Sequence, residues 1–266
     1  MVKLHDTIIR WFLLAIFLLT TLATPAQGGW VRILRGTLKA GRALTITDEQ
    51  LAQTVGREVA EMDSKNKVCS AKNSYSRRLA RITQGMKSAN GITLNYKVYK
   101  TSDVNAFACP DGSVRVFSAL MDALSDEELL GVIGHEIGHV ALRHSKKAWR
   151  DALLRSAASD ALGAVSDTWA TLSDSFLGSI TSVVLSAKHS RYHEQQADDY
   201  GYDFLKACGK NPWAMGLAFK KLKALSEGDA AQKYAKWLQA FSSHPDFDER
   251  INHMRARAEK DGFTTE

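Results

Sequence analysis

Gly134-His135-Glu136-Ile137-Gly138-His139-Val140-Ala141-Leu142 is the stretch on which the reading of this chain turns. It lies in a segment predicted to be helical from about Asp126 to His144, opened by Ser125 with Glu128 three residues later, the pattern of a capping box. A helix turns once per 3.6 residues, so residues four apart stand one above the other. His135 and His139 can therefore aim their imidazoles at one ion. Glu136 beside them has the position of a general base that takes a proton from water and returns it to a leaving amine. Zn2+, one per chain, fits such a site, because imidazole nitrogens and a carboxylate are its common ligands and a catalytic site keeps a fourth position for water.

The third ligand has to come from elsewhere. A long histidine motif would place a glycine seven residues and a histidine ten residues after His135, where Leu142 and Ser145 stand. His144 is one residue off that spacing and reads as a helix-end histidine. Far downstream, Ser190-Arg191-Tyr192-His193-Glu194-Gln195-Gln196-Ala197-Asp198-Asp199-Tyr200-Gly201 starts another helix. Glu194 and Asp198 share one face, so one carboxylate can bind the metal while the other orients a ligand histidine through its second ring nitrogen. Gly131, Gly134 and Gly138 on the first helix each cost about 1 kcal/mol of helix propensity. With Ala197 and Gly201 on the second, they point to a close approach of two backbones.

Around this core the chain reads as one globular unit. Its 266 residues, 45% apolar and 24% charged, suffice for a single core. The net charge of +6 is spread without like-charge runs, so a nucleic-acid partner is not expected. Residues 1–26 have the layout of a signal peptide: Lys3 and Arg10, an apolar run from Trp11 to Leu19, then small residues to Ala26. The apolar run is shorter than the roughly 20 residues of a spanning helix. Residues 27–47, with four glycines, read as a loose leader, and 48–266 as the catalytic domain. Cys69, Cys109 and Cys208 form an odd set for an exported chain. The expected disulfide is Cys69 with Cys109, because Cys208 lies at a helix end.

Two helices, from Asp48 to about Met62 behind an Asp48 cap and over 74–88, precede a switch to period two. Ile92 to Val98, Val104 to Ala108 and Val114 to Phe117 read as three short strands, the last two joined through Pro110-Asp111-Gly112. Pro212 marks a further helix start. Residues 145–188 have the spacing of amphipathic helices lying beside or over the site.

The histidine stretch, the Glu194–Asp199 run, Glu61-Met62-Asp63-Ser64-Lys65, Asn95-Tyr96-Lys97-Val98-Tyr99, Asp103-Val104-Asn105-Ala106-Phe107-Ala108 and Ser243-His244-Pro245 together resemble the gluzincin zinc metallopeptidases of the HtpX, BepA and LoiP type, peptidase family M48. LoiP-like members are most similar, over about Asp48 to Arg257. The resemblance implies an α+β, mainly helical, zincin-like fold with a small three-stranded sheet beside the active-site helix. It implies His135, His139 and Glu194 as zinc ligands, Glu136 as catalytic base and Asp198 as the orienting carboxylate. It also implies Asn105, Ala106, Phe107 and Ala108 as an edge strand to which an extended substrate pairs. His244 stands at the family's histidine-proline position, where three roles are open: donor to the oxyanion, occupant of the open metal position, or structural histidine.

LoiP-like members carry a lipid-anchor cysteine after the signal and HtpX-like members have membrane spans. Neither feature is read here, so a periplasmic protein is expected, with association to the membrane surface or envelope proteins left open. The expected activity is endopeptidase cleavage of unfolded or misassembled envelope proteins. The competing expectation is a chaperone-like module that holds extended segments and rarely cuts. Oligomeric state is not legible.

Overall fold

The computed structural model describes residues 41, 45–148, 150, 151, 154, 190–227 and 247–265. The anticipated signal peptide, most of the leader, most of 145–188 and His244 lie outside them.

The first described helix, α1 (Asp48–Lys65), is capped one residue before the expected Asp48. Thr47 accepts from the Gln50 N–H at 3.2 Å, and the Gln50 side chain accepts from the Thr47 N–H at 3.0 Å. Asp48 and Glu49 instead occupy the first turn, where the helix dipole favours negative charge. Helix α2 (Ser74–Ile82) stops well short of residue 88. Gly85, at φ +90°, takes the chain out in the left-handed conformation that glycine adopts without a Cβ penalty.

The expected strand over Ile92–Val98 is divided. Ile92–Thr93 (β2) pairs back on Ser88–Ala89 (β1) as a small antiparallel hairpin, and the Leu94 N–H turns to Lys87 O at 2.9 Å. Only then does β3 (Asn95–Tyr99) begin. It joins β4 (Ala106–Ala108) and β5 (Ser113–Phe117) in a three-stranded sheet of order β3-β5-β4, with β3–β5 parallel and β4–β5 antiparallel.

Side chains alternate across a sheet, and this sheet has two covered faces. Tyr99, Phe107 and Cys109 turn toward Leu51, Val55 and Val59 of α1. Val98, Ala106, Ala108, Val114 and Val116 turn into the larger core. That core is completed by α3 (Ser118–Ala123), α4 (Asp126–Ala141), α5 (Arg191–Ala207), α6 (Ala214–Glu227) and α7 (Phe247–Lys260). No helix among the described residues is long and apolar enough to cross a membrane.

The expected Cys69–Cys109 disulfide is not formed, and both thiols are free. Cys69 lies on the outer side of β3, its N–H donating to Val98 O. Cys109 continues β4 at the opposite edge and bonds Ser113 O. At about 4.8 Å per strand, three spacings separate them by roughly 14 Å, whereas a disulfide needs Cα atoms under about 7 Å apart.

Two polar clamps fix the helices to this frame. Arg78 on α2 donates to Leu124 O at 2.7 Å and to Met121 O, and pairs with Asp126 in the first turn of α4 at 2.6 Å. On the α1 face, Asp63 accepts from Arg115 Nε (2.8 Å), Lys97 Nζ (2.7 Å) and Tyr99 Oη (2.6 Å). Burial of Asp63 opposes its ionisation, but these three donors outweigh it and hold the carboxyl at about 2. Arg115 is itself buried on the central strand, so it depends on this counter-ion.

A carboxyl whose pKa is lower folded than unfolded contributes stability above the unfolded pKa and loses it as pH falls toward the folded one. The shift from about 3.9 corresponds to about 2.5 kcal/mol. In urea unfolding, Asp63→Asn should therefore be less stable than wild type by that order at pH 7. The gap should narrow between about pH 4 and pH 2; a gap that stayed constant over that window would contradict the assignment.

Candidate metal centre

Helix α4 has the expected capping box, with Glu128 N–H to Ser125 Oγ at 3.2 Å and Ser125 N–H to Glu128 Oε2 at 2.7 Å. Its glycines make room for neighbouring backbones. A Cβ on Gly138 would lie 2.3 Å from Ala197 O of α5, and one on Gly201 would lie 2.7 Å from Gly134 O. Gly131 is held as closely against Ala214 of α6, at 2.1 Å. Two helices without side chains between them bring the histidines of α4 to the first turn of α5, where Ser190 caps by accepting from the His193 N–H.

The result is a buried trio. His135 Nε2 lies 3.1 Å from His139 Nε2 and 3.5 Å from Glu194 Oε2, and His139 Nε2 lies 3.3 Å from Glu194 Oε1. Ligand atoms about 2.0–2.1 Å from a metal in tetrahedral array stand about 3.3–3.4 Å from one another. The three donors thus match three corners of that figure, in atom type as well as spacing.

Each histidine is fixed from behind by its Nδ1. For His135 the partner is Asp198 Oδ1 at 2.7 Å. Asp198 is gripped by Arg250 of α7 through Nε to Oδ2 and Nη2 to Oδ1, both 2.7 Å. Burial opposes ionisation of Asp198, and Arg250 overcomes it, so that the carboxyl lies below its ordinary range. Arg250 also lies 3.6 Å from Glu194 and 4.0 Å over the Phe219 ring. For His139 the partner is His144, Nδ1 to Nδ1 at 3.0 Å. Burial and the neighbouring His193 push His144 down to about 4, against support from Gln196, so its imidazole is neutral near pH 7.

Glu136, next along α4, is half-buried. Burial raises its carboxyl to about 7, a hydrogen bond from the Ala108 backbone pulling the other way; a cation in the trio would also lower it. This bond ties Glu136 to β4. Asn105 and Cys109 bond toward β5, so by antiparallel alternation Ala106 and Ala108 direct their N–H and C=O groups away from it, toward α4. Asn105 Oδ1 accepts from the Ala106 N–H at 2.9 Å. The Phe107 side chain instead packs under α1 with Tyr99 and Phe117.

Peptidase family M48 matches over residues 73–258 of the chain. The chain belongs to that family. Among the relatives of this M48 metalloendopeptidase, Metalloprotease YcaL of Escherichia coli strain K12 is 41% identical over 221 residues, covering 83% of this chain and 84% of that protein. Metalloprotease LoiP of the same organism is 36% identical over 256 residues, covering 96% and 99%. A Putative beta-barrel assembly-enhancing protease of Vibrio cholerae is 29% identical over 183 residues, covering 64% of this chain and 36% of that protein. As a metalloprotease, the protein acts on polypeptides and binds metal.

Two residues beside this M48 site, Arg250 and His144, were given no part in it by the sequence. Arg250 had a usable signal: it interrupts the apolar stripe Phe247, Ile251, Met254, Ala258 of α7, and a buried arginine implies a buried partner. His144 had none, because its place depends on how α4 ends.

Gly138→Ala should destabilise the protein by about 1–3 kcal/mol, since a methyl group meets a backbone carbonyl that cannot rotate away. It should also weaken metal binding in a chelator titration by moving Glu194 from the histidines. An alanine variant with wild-type affinity would show that the helices do not set the site's spacing.

Proposed function

We propose that the chain is a zinc endopeptidase of the cell envelope that cleaves unfolded or misassembled proteins in the periplasm. The observation that carries the chemistry is the joining of Glu136 to both halves of a reaction site. It follows His135 on α4 and accepts a hydrogen bond from Ala108 of β4. The buried trio of two imidazoles and one carboxylate, with a fourth tetrahedral direction left to water, favours zinc.

When bound, zinc supplies Lewis acidity, lowering the pKa of a water and polarising the scissile carbonyl. Glu136 takes the proton from the attacking water and passes it to the leaving amine. Its half-buried position beside β4 keeps that proton close to the bond being broken. Ala106 and Ala108, once their N–H groups exchange Asn105 and Glu136 for the peptide, hold the substrate as an added extended strand, so recognition falls on the backbone and selects unfolded chains over folded ones. Asp198 and Arg250 keep the His135 ring turned to the metal. His244, three residues before α7, is the candidate donor to the developing oxyanion, or the residue that fills the open metal position in a latent form.

The envelope assignment draws on the signal-like layout of residues 1–26 and on a relative whose name ties it to beta-barrel assembly.

Zinc content and cleavage of unfolded casein test the mechanism, with Glu136→Gln beside wild type. Wild type should bind about one zinc and cut, while the variant keeps its zinc and loses at least a hundredfold in rate. If both bind zinc and neither cuts, the protein is latent or a binding module, and cleavage on His244→Ala would separate the two. Absence of zinc from wild type after metal loading would remove the zinc assignment.

A further inference from the structure

An uninterrupted α4 would carry His144 away from the site. At 100° per residue, the position five beyond His139 lies about 140° around the helix from it. The chain instead stops helical progression at Ala141, and Arg143 takes φ +59°, a left-handed conformation that is costly for any residue with a Cβ. Asn90 secures this break by donating from Nδ2 to Ala141 O at 2.8 Å. Residues 144–148 are helical again. The turn delivers His144, fully buried, to His139: Nδ1 to Nδ1 at 3.0 Å, with the ring centroids 5.1 Å apart and the planes at 70°.

We infer that His144 is a positioning residue for the metal ligand His139, the counterpart for that ring of what Asp198 is for His135. This rests on the zinc reading above. With Nε2 of His139 directed at the metal, its ring proton resides on Nδ1 and is donated to Nδ1 of His144, which accepts as a neutral imidazole. The other side of His144 is covered by the ring of His193, stacked at 4.5 Å and 25°. His193 directly precedes Glu194 on α5. The ring that orients His139 is therefore itself held by the helix that supplies the third ligand.

The two arms differ in charge. Asp198 offers His135 an anion whose charge Arg250 offsets, whereas His144 offers His139 a neutral acceptor. An imidazole adds no second negative charge beside the Glu194 carboxylate. It fixes the ring's rotation while leaving the net charge of the trio to Glu194 alone.

The test compares His144→Leu, which fills similar volume without an acceptor, with His144→Asn, whose amide oxygen is as many bonds from the backbone as Nδ1. Zinc affinity is measured by competition with a chromophoric chelator, alongside melting of the metal-free protein and the visible spectrum of the cobalt-loaded form. His144→Leu should weaken zinc binding roughly tenfold or more, shift the cobalt bands and lower kcat with KM for a peptide little changed. His144→Asn should recover most of the affinity, and metal-free melting should stay near wild type in both.

Wild-type affinity in His144→Leu would overturn the inference while leaving the zinc assignment standing. So would equal loss in both variants together with lowered metal-free melting, which is the signature of packing alone. If wild type itself fails to bind zinc, both fall.

Discussion

The site exists because two helices touch without side chains between them. Gly138 meets the Ala197 carbonyl and Gly201 meets the Gly134 carbonyl, which sets the distance between α4 and α5 at a value no larger residue would allow. Everything the site does follows from that separation. A further ångström between the axes would spread the 3.1–3.5 Å triangle of His135, His139 and Glu194 beyond what one small cation can bridge. The helix propensity lost to glycine is thus offset by geometry rather than by local preference.

Around this contact the molecule carries two buried ionic centres, one on each side of its sheet. Asp63 gathers Arg115, Lys97 and Tyr99 on the α1 face. Asp198 gathers Arg250 and His135 on the other. Both follow the rule that a buried charge survives where it is paired and fully hydrogen-bonded. Their uses differ: the first fastens a helix to two strands, and the second fixes the direction of an imidazole.

Much of this was legible in the sequence because it is written in fixed spacings. His135 and His139, and Glu194 and Asp198, are four apart on helices whose starts are announced by Ser125 and Ser190, and the alternation of apolar residues announced a small sheet. What could not be read depends on where regular structure stops. Period two runs unbroken through Leu94, yet its N–H still bonds Lys87 of the hairpin while the Asn95 N–H turns to Gly112 beside β5, and one strand becomes two. Arg143 breaks α4 with a conformation for which an arginine gives no signal, so His144 remained a helix-end histidine. The cysteine pairing failed for a related reason: a count of thiols says nothing of which edge of a sheet each one occupies.

The position of Arg250 in the chain has a consequence for timing. Every other described member of the site precedes it in sequence, and it arrives on α7 after the histidines, Glu194 and Asp198 have been made. Until α7 docks, the Asp198 carboxylate lacks its guanidinium and the His135 ring lacks a rigid backstop. A chain emerging from its N-terminus therefore holds the chemical groups of a protease before it holds their alignment. Cutting power is thereby withheld from the half-made polypeptide until its last described helix has docked.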